Sequence, residues 1–77
     1  MTFEQFLTSF AEQFDDTDSS IFNAETEFHT IDEWSSMTAL GIIGMLDTEY
    51  GISITGADLQ NCKSIQDLYN LAMERKK

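Results

Sequence analysis

The sequence contains no proline, one cysteine and one histidine. Cys62 cannot form an intramolecular disulfide, and with no Cys or His near it at ligand spacing the sequence predicts no metal site. We expect Cys62 to be a small core residue. No apolar run approaches the roughly 20 residues that cross a bilayer, and the first residues lack the basic-then-apolar pattern of a signal peptide. The expectation is therefore a cytoplasmic protein without a membrane span.

Basic residues are also few: four Lys and Arg stand against 14 Asp and Glu, for a formal net charge of −10. This charge repels nucleic acids and favours protein partners with basic docking patches. The chain is nevertheless 42% hydrophobic, with six Phe, which is too apolar for a disordered acidic tail. A chain of 77 residues is one domain with little room for an enzyme cleft. We expect residues 1–77 to form a single folded domain that acts as a monomer and is not an enzyme.

The apolar spacing predicts helices. In the first segment apolar residues recur every three or four positions, which is typical of an amphipathic helix: Phe3, Phe6, Leu7, Phe10 and Phe14. The Asp and Ser residues of segment 15–20 then favour a turn. A long connection follows to about residue 35, and we expect its apolar side chains to pack inward and order it: Ile21, Phe22, Phe28, Ile31 and Trp34.

Three more helices are predicted downstream. The second begins at Ser35 or Ser36, where a hydroxyl can cap it, and ends at Gly51. Residues 55–61 form a brief third helix with Leu59 and Cys62 inward. Segment 64–67 is a capping-box start for the last helix, whose inward residues are Ile65, Leu68, Leu71 and Ala72. The predicted fold is all-α, with four helices, a long first loop and a short third helix.

The second helix has two different faces when residues are placed about 100° apart. The predicted core face holds Ala39, Ile43, Leu46 and Tyr50, with Ile42 at its edge. The opposite face holds Met37, Gly41, Gly44 and Thr48. Each glycine costs about 0.8–1 kcal/mol relative to alanine in an exposed helix, so a backbone or a prosthetic arm could approach there. Packing of the long loop over the glycines, or neutral drift, explains them equally well.

Ser36 stands at the start of this helix. An anionic phosphodiester on its hydroxyl would meet free backbone N–H groups and the positive end of the helix dipole. A serine at a helix start is more commonly a simple cap. The residues by themselves therefore leave both roles open.

Three stretches, residues 26–34, Ser36-Met37 and residues 49–54, carry a resemblance that extends over nearly the whole chain: the chain resembles the acyl carrier protein family. Ser36 and Met37 match that family's attachment serine and the apolar residue after it, in its Asp-Ser-Leu motif. Residues 49–54 (EYGISI) are similar to the family's Glu-Glu-Phe-Gly-Ile-x-Ile segment. Residues 26–34 (TEFHTIDEW) are similar to a Thr-x-Phe-x-x-Leu-x-x-Trp lead-in.

The resemblance implies a four-helix bundle of acyl-carrier type that carries 4′-phosphopantetheine, transferred from coenzyme A to Ser36 by a phosphopantetheinyl transferase. The arm would hold an acyl or aminoacyl thioester for acyl-loading and acyl-transferring enzymes of fatty acid or polyketide biosynthesis. The implied docking residues are Met37, Leu40, Gly41, Gly44 and Asp47. The resemblance also implies an acyl cavity formed by Ile43, Leu46, Ile54, Leu59 and Cys62, although an apolar set of this kind is more commonly plain core.

The chain departs from the family pattern at several positions. Ser35 stands where the family usually has an aspartate that assists the transferase, so the departure bears on modification more than on folding. Thr38, Gly41 and Thr48 replace common acids, which argues against the housekeeping fatty acid synthase as partner. An unmodified acidic adaptor and an aminoacyl or D-alanyl carrier remain alternatives. A calcium loop is disfavoured, because Ile21 occupies the position that needs glycine; its spacing would use Asp16, Asp18, Ser20 and Glu27.

Overall fold

The computed structural model describes residues 2–76 and confirms an all-helical fold with no strand within that range. Its extents are 32 × 23 × 20 Å. The described chain forms four α-helices and two single-turn 3₁₀ helices. The α-helices are α1 (Phe3–Ala11), α2 (Ser36–Tyr50), α3 (Gly56–Asn61) and α4 (Ile65–Arg75), and the 3₁₀ helices are Ser19–Ile21 and Phe28–Thr30.

Each α-helix begins at a hydroxyl cap. Thr2, Ser35, Thr55 and Ser64 each accept a hydrogen bond from the backbone N–H three residues later, which satisfies a donor that the helix itself cannot pair. The predicted capping box at Ser64 is confirmed, and α1 and α3 have capping boxes as well. Gly51 ends α2 as predicted, with φ +66°, a left-handed conformation that glycine adopts without a steric penalty.

The core is built around phenylalanine rings. α1 ends at Ala11, before the predicted apolar stripe does, yet Phe14 is still buried. The Phe10 ring lies 5.5 Å from that of Phe14, 6.0 Å from that of Phe22 and 5.8 Å from that of Phe28. Two of these rings come from the long loop, so the loop is part of the core, as expected.

One loop residue was predicted wrongly. Ile21 is 42% exposed, whereas Phe22, the next residue, is buried. Ile21 is the last residue of a 3₁₀ turn, and two successive side chains there point in different directions. Phe22 takes the inward position because its larger ring fills the space beside Phe10 and Phe14.

The buried face of α2 also differs from the prediction. Ile42, Met45 and Leu46 are buried, whereas Ala39, Ile43 and Tyr50 are only half-buried. On a helical wheel with about 100° per residue, the centre of the buried face lies roughly 70° from the centre of the predicted face, on the side of Met45. α2 contacts both α1 and α3, and its apolar residues are distributed around much of the helix. Spacing alone therefore did not locate the centre of its buried face.

The second half of the loop is fixed to the α3–α4 end of the molecule. The carbonyl oxygens of Thr26 and Ala24 accept hydrogen bonds from the backbone N–H groups of Ile65 and Gln66, each at 3.0 Å. These bonds pair donors at the start of α4 that have no partner within that helix. Within residues 2–76, no helix is both long enough and apolar enough to cross a bilayer.

Candidate functional site

Ser36 is the first residue of α2, and it is exposed. The residue that caps the helix is Ser35, whose Oγ accepts a hydrogen bond from the Thr38 N–H at 3.3 Å. The capping role that the sequence left open between these two serines therefore belongs to Ser35. Ser35 closes the end of the helix, and the Ser36 hydroxyl is placed where a second molecule can reach it.

The start of α2 suits an anion. The first turn of α2 contains no acidic side chain, and its leading N–H groups and helix dipole present positive potential beside Ser36. A phosphodiester on Ser36 would be stabilised there, whereas an acidic side chain in that turn would repel it. The residues present thus fit a phosphate-linked prosthetic group.

A cleft of about 350 Å³ opens at Ser36. Its lining includes Trp34 and Ala39, together with Leu59 and Gln60 of α3. The cleft therefore combines apolar surface with an amide and hydroxyl groups. These features suit a flexible chain that has both methyl and amide groups. Ser35, His29 and Gly56 complete the lining.

His29 fixes the wall of this cleft. Its Nε2 lies 3.0 Å from the carbonyl oxygens of both Leu59 and Cys62. Because a carbonyl oxygen can only accept, Nε2 carries the proton and donates to both. The imidazole ring packs 4.4 Å from the Phe28 ring and 5.3 Å from the Trp34 ring. The long loop is thereby held against the end of α3, at the cleft that Ser36 also lines.

The predicted docking residues differ in their surroundings. Met37 and Leu40 are 80% and 67% exposed, and Asp47 is exposed too. Gly44 faces open space, with no atom within 4 Å of the position that a Cβ would take. Gly41 is half-buried, and its Cβ would lie 3.0 Å from Oε1 of Gln13. A side chain of this protein therefore already covers one of the two glycines. Docking at these residues stays a prediction.

The residues predicted to form an acyl cavity lie in or beside the core. Leu46, Ile54, Leu59 and Cys62 are buried, and Ile43 is half-buried. Leu59 also lines the cleft at Ser36. Burial raises the pKa of the Cys62 thiol, as do the nearby carboxylates of Asp67 and Asp58, so the thiol is protonated at neutral pH. Shelter of an acyl chain by these residues stays a prediction.

Sequence reasoning missed His29 and Gln60 as cleft residues, and Glu33 as a hydrogen-bonding centre. His29 and Leu59 are 30 positions apart, and no periodic pattern connects them. No group of three or more His, Cys, Asp or Glu side chains suited to a metal ion occurs in the described part of the chain. Asp18, considered above for calcium, accepts a hydrogen bond from the Ser20 N–H at 2.9 Å and caps a 3₁₀ turn.

A small acidic helical bundle that presents a serine at a helix N-terminus beside a cleft has the features of a carrier domain. The family model described as phosphopantetheine attachment site matches residues 4–72. The chain belongs to this family and is an acyl-carrier-type carrier domain, whose prosthetic group is covalently attached 4′-phosphopantetheine. Carrier domains of this family are typically non-catalytic and interact with a phosphopantetheinyl transferase and with biosynthetic enzymes. No curated protein and no solved structure matches the chain.

Proposed function

We propose that Ser36 carries the arm, and that the arm's thiol holds an acyl or aminoacyl group as a thioester for delivery to partner enzymes. The observation that carries this proposal is the division of roles at the start of α2: Ser35 caps the helix, and the exposed Ser36 lines the cleft. In the transfer, the Ser36 oxygen forms a bond to the β-phosphorus of coenzyme A. The phosphoanhydride bond breaks, 3′,5′-adenosine bisphosphate leaves, and the serine proton passes to the transferase or to solvent.

The chain's own residues would anchor and orient the arm. The leading N–H groups of α2 stabilise the phosphodiester charge. The Trp34 ring and the Leu59 side chain offer apolar surface beside Ser36, and Gln60 offers an amide. A tethered cargo meets each partner at an effective concentration set by the length of the arm. The protein therefore contributes by attachment and presentation, and the partner enzymes perform the chemistry.

Partners would dock on the exposed part of α2 near Ser36. Met37 and Leu40 form an apolar centre there, and Asp47 adds negative charge further along the helix. The net charge of −10 steers enzymes with basic docking patches towards the protein and accelerates encounter. A carrier must also dissociate readily, and small contacts of this kind favour fast exchange. The same surface would serve an aminoacyl or D-alanyl cargo.

Intact mass spectrometry tests the attachment site. The purified protein is incubated with coenzyme A and a broad-specificity phosphopantetheinyl transferase, beside Ser36→Ala and Ser35→Asp. The second variant is the matched control, since aspartate also caps a helix and restores the residue usual in the family. We expect wild type and Ser35→Asp to gain one phosphopantetheine, and Ser36→Ala to gain none.

Three results would contradict the proposal. Modification of Ser36→Ala would place the arm on another residue. A lack of modification of both wild type and Ser35→Asp by several transferases would favour the unmodified adaptor. Gain by Ser35→Asp alone would show that Ser36 is correctly placed but that Ser35 prevents recognition, which would also contradict a working carrier.

A further inference from the structure

Glu33 joins two segments that are far apart in the sequence. Its Oε1 accepts a hydrogen bond from the Asp16 N–H at 2.8 Å and another from the Thr17 hydroxyl. Its Oε2 accepts one from the Asp15 N–H at 3.1 Å. Both carboxylate oxygens are therefore engaged by the segment that follows α1, residues 15–17.

The backbone of Glu33 is engaged by α2. Its carbonyl oxygen accepts a hydrogen bond from Oγ1 of Thr38 at 2.9 Å. The Thr38 N–H donates to Oγ of Ser35 at 3.3 Å, and the two hydroxyl oxygens lie 3.2 Å apart. Ser36 lies between these residues in the sequence, so the turn that carries it is held on both sides.

The hydrogen bonds to Glu33 favour its ionised form. The Thr17 hydroxyl and the Asp16 and Asp15 amides lower the pKa of this carboxyl, against an opposing effect of desolvation. The two carboxylate oxygens accept from three donors, and an ionised carboxylate carries no hydrogen that would compete with them. An amide at this position would set its own N–H hydrogens against one of these donors, because an amide nitrogen cannot accept a hydrogen bond.

We propose that Glu33 is a positioning residue: through its side chain and its carbonyl oxygen it links residues 15–17 to the first turn of α2, and so holds Ser36 in the orientation presented to the transferase. The kinetic part of this proposal rests on the function proposed above. Glu33 is half-buried, whereas the neighbouring Asp32 is exposed. The charge of Glu33 thus acts within the molecule, and that of Asp32 is open to solvent and partners.

The test compares Glu33→Gln with Asp32→Asn, which remove the same charge from adjacent positions. The first readout is backbone amide hydrogen exchange in the unmodified protein. We expect Glu33→Gln to accelerate exchange at Asp15 and Asp16 by about ten-fold or more, the scale of a lost hydrogen bond to a charged group. Exchange in residues 38 and 39 should rise as well. Asp32→Asn should leave these amides unchanged.

The second readout is the kinetics of transfer to Ser36, analysed as separate kcat and KM values. A loss of charge steering raises KM, and both variants should show it to the same extent. Loss of orientation lowers kcat, and we expect at least a several-fold decrease for Glu33→Gln alone. Equal kcat values in the two variants, or unchanged exchange at Asp15 and Asp16 in Glu33→Gln, would overturn the proposal.

A third variant separates local from global effects. Glu33→Gln could accelerate exchange throughout the core, including the Leu68 amide, which would indicate a global loss of stability. In that case Thr17→Val is used instead, because it removes only the hydroxyl that donates to the Glu33 carboxylate. The same local pattern and lower kcat would support the proposal, and wild-type behaviour would overturn it. If wild type accepts no phosphopantetheine, the proposed function fails, and the exchange pattern alone decides whether Glu33 orders the turn.

Discussion

The two glycines of α2 provide a sharp test, because the same substitution meets different surroundings one turn apart. A Cβ at Gly44 would have no neighbour within 4 Å. Alanine at an exposed position inside a helix is favoured over glycine by about 0.8–1 kcal/mol. We therefore expect Gly44→Ala to stabilise the protein by nearly this amount, which raises Tm by about 4–8 °C for a domain of this size.

Gly41→Ala is the matched comparison. Its Cβ would lie 3.0 Å from Oε1 of Gln13, so the Gln13 side chain must move by a few tenths of an ångström. That side chain also donates to the Ser9 carbonyl oxygen at 3.3 Å, and the movement weakens this bond. The helix-propensity gain is partly offset, and we expect a smaller stabilisation than for Gly44→Ala.

Urea denaturation followed by circular dichroism measures both free energies of unfolding. A destabilised Gly44→Ala, or a Gly41→Ala that is the more stable of the two, would refute the reasoning. The transferase assay adds a functional readout, since a methyl group on an open face obstructs only a partner that approaches closely. We expect Gly44→Ala to lower kcat/KM for modification of Ser36 while the protein becomes more stable. An unchanged kcat/KM would remove Gly44 from the docking surface.

Three further predictions concern the core, the cleft wall and acid stability. Phe10→Ala should cost about 3–5 kcal/mol, a large part of the roughly 4–12 kcal/mol available to a domain of this size; a cost below about 1 kcal/mol in urea denaturation would contradict the packing. His29→Ala removes the donor to the carbonyl oxygens at the end of α3, so exchange of the Cys62 amide should rise about five-fold, and unchanged exchange would show that this contact is unimportant. Folding lowers the pKa of the Glu33 carboxyl below its ordinary value of 4.5. The ionised carboxylate therefore stabilises the fold above pH 4.5, and this contribution is lost as the pH falls through the pKa of the folded protein. Glu33→Gln should therefore weaken the decrease in the free energy of unfolding that is measured at acid pH.

Much of the local structure could be predicted because it depends on residues close together in the chain. A serine that precedes a helical pattern can accept a hydrogen bond from the backbone N–H three residues later and so cap the helix. This preference located the helix starts at Ser64 and at the Ser35–Ser36 pair. Gly51 ended α2 because a left-handed residue is needed there. The place of Ser36 at the start of α2 followed from the same local rules, together with the family resemblance.

Other features depended on which elements pack together. The buried face of α2 was predicted about 70° away from its observed centre, because α2 is apolar on several sides and contacts both α1 and α3. Ile21 was expected to be buried, but the 3₁₀ turn directs only one of the two neighbouring side chains into the core, and that side chain is Phe22. The sequence left open whether the chain itself packs over Gly41, and the Gln13 side chain does so.

The sequence by itself determined the helices, their caps, the acidic charge and the serine at the start of α2, since these are properties of composition and of hydrogen bonds across three or four residues. The tertiary structure alone decided the surroundings of that serine. His29 reaches the end of α3 over 30 positions, and Glu33 reaches the segment after α1 over 16 to 18. Such contacts depend on how the long loop folds across the helices, and no short-range pattern encodes that path.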